Sequence, residues 1–318
     1  ELAGIGEKVY FKGDYQGKNP GNYASFIMSG KIAASGNIMT LTDGDNPGTS
    51  LESKDYCFVT LFGGCEALNA APELPATTLA DSCYANMFWG CTGLIEAPAL
   101  PATTLTDGCY LYMFGSTGLT EAPELSAMTL AKYCYSGMFY NCTGLTEAPA
   151  LPATTVAEGC YFAMFYRCEN LTQASALPAT TLALHCYFGM FFGCQNLTQA
   201  PALPAMNLAP YCYAYMFFGC QNLTQAPALP AMNLAPYCYY TMFAATGLTS
   251  ALALPAMNLA DYCYGAMFAA TGLTSAPQLS ATNLAPNCYE GMFYGCKDLT
   301  QAPALPATNL VRECYDEM

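Results

Sequence analysis

Histidine and tryptophan occur once each in this chain of 318 residues, and lysine and arginine together number nine against 23 aspartates and glutamates. The resulting net charge of −14 removes the basic footprint by which proteins hold nucleic acid or an anionic membrane surface. No apolar run reaches the roughly 18 to 20 residues of a spanning helix, so no direct membrane insertion is expected. There is no Cys-x-x-Cys pair, and one imidazole cannot supply a metal-ligand spacing. A Gly-rich phosphate loop and a nucleophile elbow are also missing. The chain is therefore expected not to be an enzyme and to use no metal and no cofactor.

What it has in abundance is repetition. A Cys-Tyr pair, Cys-Phe in the first copy, recurs from Cys57 to Cys314 at intervals of 25 or 26 residues. A period of that length predicts a repeat solenoid, in which each unit is too small to bury its own apolar side and does so by stacking on its neighbours. We divide the chain at 1–54, an N-terminal β cap, and 55–318, about ten units of which the last is incomplete. Seven further cysteines, from Cys65 to Cys296, stand eight residues after the first column, and the units starting at Cys109, Cys238 and Cys263 lose that cysteine together with one residue. Disulfides within units would leave partners stranded in those three places, so free buried thiols are the expectation.

Each unit divides by its punctuation. Acids such as Asp81 and Asp107, or prolines such as Pro210, stand two residues before the cysteine and predict a helix start. The pattern Cys-aromatic-x-x-Met-Phe then places Cys186 with Met190 and Tyr187 with Phe191 on one face of a helix of one to two turns, part of it 3₁₀. A leucine-initiated run, LTQAPALP in its commonest form, predicts a short parallel strand kinked at its proline, and PATTL or PAMNL forms the return arc. In the cap, Val9–Phe11, Phe26–Met28 and Ile38–Leu41 predict short strands. Asp43 to Gly48 reads as a turn rather than a calcium loop.

With these columns laid out, the unit resembles a leucine-rich repeat of the bacterial BspA-like type. Met190-Phe191, Gly193-Cys194, Leu197 and Pro204 stand where that family has its Ala-Phe, its Gly-Cys, its strand leucine and its closing proline. The resemblance covers about residues 55 to 318 and implies a leucine-rich-repeat-like, right-handed stack of short parallel strands and short helical turns. It further implies an extracellular or cell-surface anchored protein, its signal or anchor sequence absent from this chain. Its role would be adhesion or recognition of a host, matrix or glycan partner.

Two surfaces are candidates for a macromolecular partner, protein or glycan. Variable positions on the outward side of the predicted helix are rich in aromatics, densest over Phe162, Tyr166, Phe188, Phe192, Tyr215 and Phe218. Neighbouring rungs could equally pack these rings together. A second column, two residues past the strand leucine, forms a polar ladder through Glu147, Gln173, Gln199 and Gln225. His185 occupies a variable surface position. The competing reading is a spacer or stalk segment with no ligand of its own.

Overall fold

The computed structural model describes residues 8–13, 25–27 and 30–318. Successive 25- or 26-residue units lie one on the next, joined by hydrogen bonds along nearly the whole described chain, an arrangement that fits a repeat solenoid. The strongest seam runs through the Cys-Tyr segment, and it is not the expected helix.

One unit illustrates it. The N–H groups of His185, Tyr187, Gly189, Phe191 and Gly193 donate to carbonyls of the following unit at 2.7–3.2 Å, on Pro210, Cys212, Ala214, Met216 and Phe218. The intervening N–H groups of Cys186, Phe188, Met190, Phe192 and Cys194 instead close turns onto the carbonyl three residues back. Every fourth residue is left-handed, with φ 54° at His185, 56° at Gly189 and 71° at Gly193. A right-handed helix cannot contain such residues at regular intervals. The segment is a chain of tight turns whose alternate amides all point the same way along the stack.

The predicted apolar stripe survives this change of backbone, because two of every four residues still face inward. Cys186, Tyr187, Met190 and Phe191 are each no more than 1% exposed. Tyr187 stacks on Tyr161 and Tyr213, both at 5.7 Å, and Phe191 on Phe165 and Phe217 at 5.6 and 5.7 Å. The acids before the cysteine do not cap helices either. Asp55 and Asp81 accept the backbone N–H of Asp81 and Asp107 at 3.2 Å, and Asp107 accepts that of Lys132 at 3.0 Å, each one unit further on.

The leucine-initiated run departs further from expectation. Among the described residues, extended pairing is confined to β1 (Ile32–Ala33) and β2 (Leu68–Ala70), which are parallel. Later units meet there through single parallel bridges, such as Gln173 with Gln199 and Thr181 with Asn207, and through scattered amide bonds, such as Thr172 N–H to the Thr146 carbonyl at 2.9 Å. Prolines like Pro201 and Pro204 lack the N–H that a longer ladder needs.

The described part of residues 25–54 follows the path of a repeat in degenerate form. Phe26 N–H donates to Leu61 at 2.7 Å, its ring stacks on Phe62 at 5.3 Å, and its carbonyl accepts the Cys65 thiol at 2.8 Å. Phe62 holds the same place relative to the next unit, bonding Met87, stacking on Phe88 and accepting Cys91. Val9–Phe11 forms no strand and is exposed. Met28 lies outside the described residues. Ile38–Leu41, expected as a strand, turns instead into a one-turn helix, α1 (Thr40–Asp43), with Ile38 and Met39 buried. The turn after Asp43 is fastened by ion pairs of Asp43 with Lys54 and of Asp45 with Lys12.

The cysteines other than Cys65 are free thiols, and all eighteen except the partly buried Cys296 are buried. In the second column the thiols of Cys168, Cys194 and Cys220 donate to the phenylalanine carbonyl of the preceding unit at 3.0–3.1 Å. Where that cysteine is missing, a threonine eight residues after the first cysteine takes its place. Thr117, Thr246 and Thr271 are buried and bond Phe114, Phe243 and Phe268 at 2.7–2.8 Å. The lost residue therefore falls after this position rather than at it.

Candidate functional site

The structure brings the six aromatic candidates together. Their rings are half-buried on the outer side of the turn segment. Tyr166 and Phe192 stack at 4.4 Å, Phe192 and Phe218 at 4.6 Å, and Phe162 and Phe188 at 4.9 Å, with interplanar angles of 4–16°. Tyr215 bridges the two rows, tilted against Phe188 at 5.4 Å and Phe218 at 6.2 Å. Tyr140 extends the longer row, and Trp89 lies 5.7 Å from it. Rings stacked this way turn their faces to one another and their edges to solvent, leaving little face for a sugar or another ring to cover.

Variation between copies at these positions follows a packing rule the sequence reading missed. A large ring in one unit leans over a glycine at the same position in the next. A methyl group on Gly115 would lie 2.2 Å from Trp89, one on Gly137 2.1 Å from Tyr112, and one on Gly159 2.2 Å from Tyr133. The signal was present as ring-then-glycine pairs 25 or 26 residues apart.

His185 is not an isolated surface residue. Its ring lies 4.9 Å from Tyr211 and 5.8 Å from Phe188, and its partial burial lowers its pKa against the opposing pull of Glu158.

The second candidate surface is open. Glu147, Gln173, Gln199 and Gln225 are all exposed, and backbone bridges hold Glu147 to Gln173 and Gln173 to Gln199 in register. Beside them run exposed threonines, with the Thr172 hydroxyl donating to the Thr146 carbonyl at 3.1 Å. An amide ladder flanks both, in which Asn196 donates to Asn170 and Asn222 to Asn196 at 3.2 and 3.1 Å. That ladder went unnoticed in the sequence, although an asparagine precedes the strand leucine in three successive units.

Among the described residues, no group of three or more histidine, cysteine, aspartate or glutamate side chains is placed to hold a metal ion, and no helix is long and apolar enough to cross a membrane.

No protein-family model matches the sequence, and neither does any curated protein. Among solved structures, the chain is similar to a leucine-rich repeat protein from Bacteroides ovatus ATCC 8483, with 19% identity and a TM-score of 0.43. The match covers 76% of this chain and 56% of that one, so the chain spans little more than half of that structure's length.

Proposed function

We propose that this chain is a non-catalytic binding solenoid of the leucine-rich repeat class, BspA-like in type, which holds an extended protein or glycan along its exposed polar ladder. One observation carries the reading: Glu147, Gln173, Gln199 and Gln225 present carboxyl and amide groups at one-unit intervals, and backbone bridges fix that spacing from Glu147 to Gln199. A ligand with its own repeat can meet such a row at several points at once, and the summed contacts can reach useful affinity from individually weak bonds. The aromatic rows then serve to stiffen the stack, because their faces are already used.

An extracellular or cell-surface location is compatible with a chain this rich in thiols only if those thiols are inert. Burial supplies that inertness, raising Cys134 and Cys186 to about 12 and so suppressing the reactive thiolate. A non-catalytic role accords with the ring-packed setting of His185. The runner-up reading is a spacer that projects another module; the continuous stacking of the buried rings from Phe58 to Tyr289 favours it.

The test is binding of the purified chain to glycan and matrix-protein arrays, compared with the triple variant Gln173→Ala, Gln199→Ala, Gln225→Ala. At least tenfold weaker binding by the triple variant with an unchanged thermal midpoint is expected. Equal binding by both proteins moves the site elsewhere, and no binding by either favours the spacer.

A further inference from the structure

The residue just before each column cysteine also forms a stacked row. His185, Tyr211, Tyr237 and Tyr262 lie at successive centroid distances of 4.9, 4.5 and 4.6 Å. Nearer the N-terminus the same row reads Tyr56, Ser82, Gly108, Tyr133. Two rings are missing, and the space they leave is a groove of about 520 Å³ lined by Tyr56, Ser82, Gly108, Leu111, Tyr133 and, at its rim, Asp81, Asp107 and Lys132. Three units of ordinary spacing, roughly 14 Å, separate the two bounding tyrosine positions.

The rim is electronegative. Asp81 and Asp107 each use Oδ1 to accept a backbone N–H of the next unit, which orients the carboxylates, and their Oδ2 atoms have no partner among the described residues. Asp55 adds a third carboxylate in the same row. Lys132, the cation among the described lining residues, pairs with Glu158 at 2.9 Å, and Glu158 also accepts the Tyr133 hydroxyl at 3.2 Å. Tyr133 lies against Gly159 on one side and borders the groove on the other.

We propose that this gap in the stack binds a guanidinium group, supplied by an arginine side chain of a polypeptide partner. Guanidinium is planar, stacks on tyrosine, and donates paired hydrogen bonds to carboxylates. Ammonium offers neither the plane nor the fork, and a neutral ring leaves the carboxylates unanswered. The chain makes a related contact itself, with the Arg167 guanidinium 5.9 Å from the Tyr166 ring centre. The net charge of −14 also attracts a basic partner over longer range.

The experiment titrates the full chain with three short peptides that differ only in a central arginine, lysine or citrulline, read by calorimetry. The arginine peptide is expected to bind at least about tenfold more tightly than either of the others. Asp81→Asn with Asp107→Asn keeps both backbone acceptors and is expected to remove that preference. Ser82→Tyr with Gly108→Tyr refills the row, at positions where Tyr211, Tyr237 and Tyr262 already accept φ of 57°, 56° and 54°. It is expected to abolish binding while the thermal midpoint holds or rises. Equal affinity for the citrulline or lysine peptide, undiminished binding by the asparagine variant or a folded refilled variant, or no measurable binding of the arginine peptide would overturn the proposal. If the refilled variant does not fold, the asparagine variant and the peptide series still decide.

Discussion

The turn segment and the return arc of each unit are comparable in length yet are built on opposite terms. From His185 to Cys194, five alternate amides bond the next unit and five close turns, with Cys186, Tyr187, Met190 and Phe191 sealed inside. From Leu197 to Leu208, backbone pairing between units falls to single bridges and a few scattered amide bonds, and Gln199, Met206 and Asn207 are exposed. The difference teaches where the stack holds together. Aligned amides and stacked rings need identical geometry in every unit, whereas the proline-broken arc needs only to return the chain with Leu203 and Ala205 tucked in. Freedom to vary falls to the arc and to the outer side of the turns.

Alkaline pH should break the turn segment first and most strongly. Burial holds Cys134 and Cys186 near 12 and Cys142 near 11, against an ordinary thiol value of 9.0. Above about pH 9 the unfolded chain sheds these protons and the folded chain keeps them. Stability is therefore full below that pH and falls on the way to about 12, by about 1.4 kcal/mol per pH unit for each such thiol. Several thiols together outweigh any single substitution. Urea midpoints measured under reductant at pH 8, 9 and 10 should drop progressively beyond 9, and a flat profile would mean that the thiols are not sealed.

Next in size is Phe191→Ala, which empties a fully buried place in the ring stack and should cost about 3–5 kcal/mol. Met206→Ala in the arc, where the side chain is 49% exposed, should cost under about 0.5 kcal/mol. Similar losses in chemical denaturation would erase the contrast between the two segments.

Gly115→Ala sharpens it further, because φ at Gly115 is not left-handed and the nearest obstacle is the Trp89 ring at 2.2 Å. A cost of about 1–3 kcal/mol is expected, together with a shift in the emission of the single tryptophan. In a Trp89→Ala background the penalty should vanish; an additive double-mutant cycle would refute the packing rule.

A small effect of opposite sign concerns the Tyr187 hydroxyl, which is buried with no hydrogen-bond partner among the described residues. Tyr187→Phe removes an unsatisfied group and keeps the ring, as Phe58 already does in the first unit. Stability should stay level or rise by up to about 1 kcal/mol. A clear loss would mean that the hydroxyl has a partner.

Much of this was legible beforehand. The 25- or 26-residue period, the inward Cys-Tyr and Met-Phe pairs and the free thiols all followed from residue type and spacing, because a core position repeated many times leaves a column of one chemistry. The predicted helix did not survive, since a four-residue period of inward pairs fits a helix and a chain of turns equally well. The discriminating mark was the recurrence of glycine at Gly159, Gly189 and Gly193 and their equivalents, one residue before the cysteine and three and seven after it. Tyrosine, alanine and threonine at the same places in other units obscured it. Of the candidate surfaces, the polar ladder was readable as a column. The outward rings were readable only as a list, because whether a ring faces solvent or another ring depends on its neighbour a unit away.

The sequence by itself determined the repeat, its length and the inventory of each column, because those are properties of order along the chain. Only the tertiary structure decided that the Cys-Tyr segment is a seam of aligned amides, that Phe26 belongs to it, and that two missing rings between Tyr56 and Tyr133 leave a groove. The physical reason is that amide direction, ring stacking and voids are relations between units. They come into being only when one unit lies on the next.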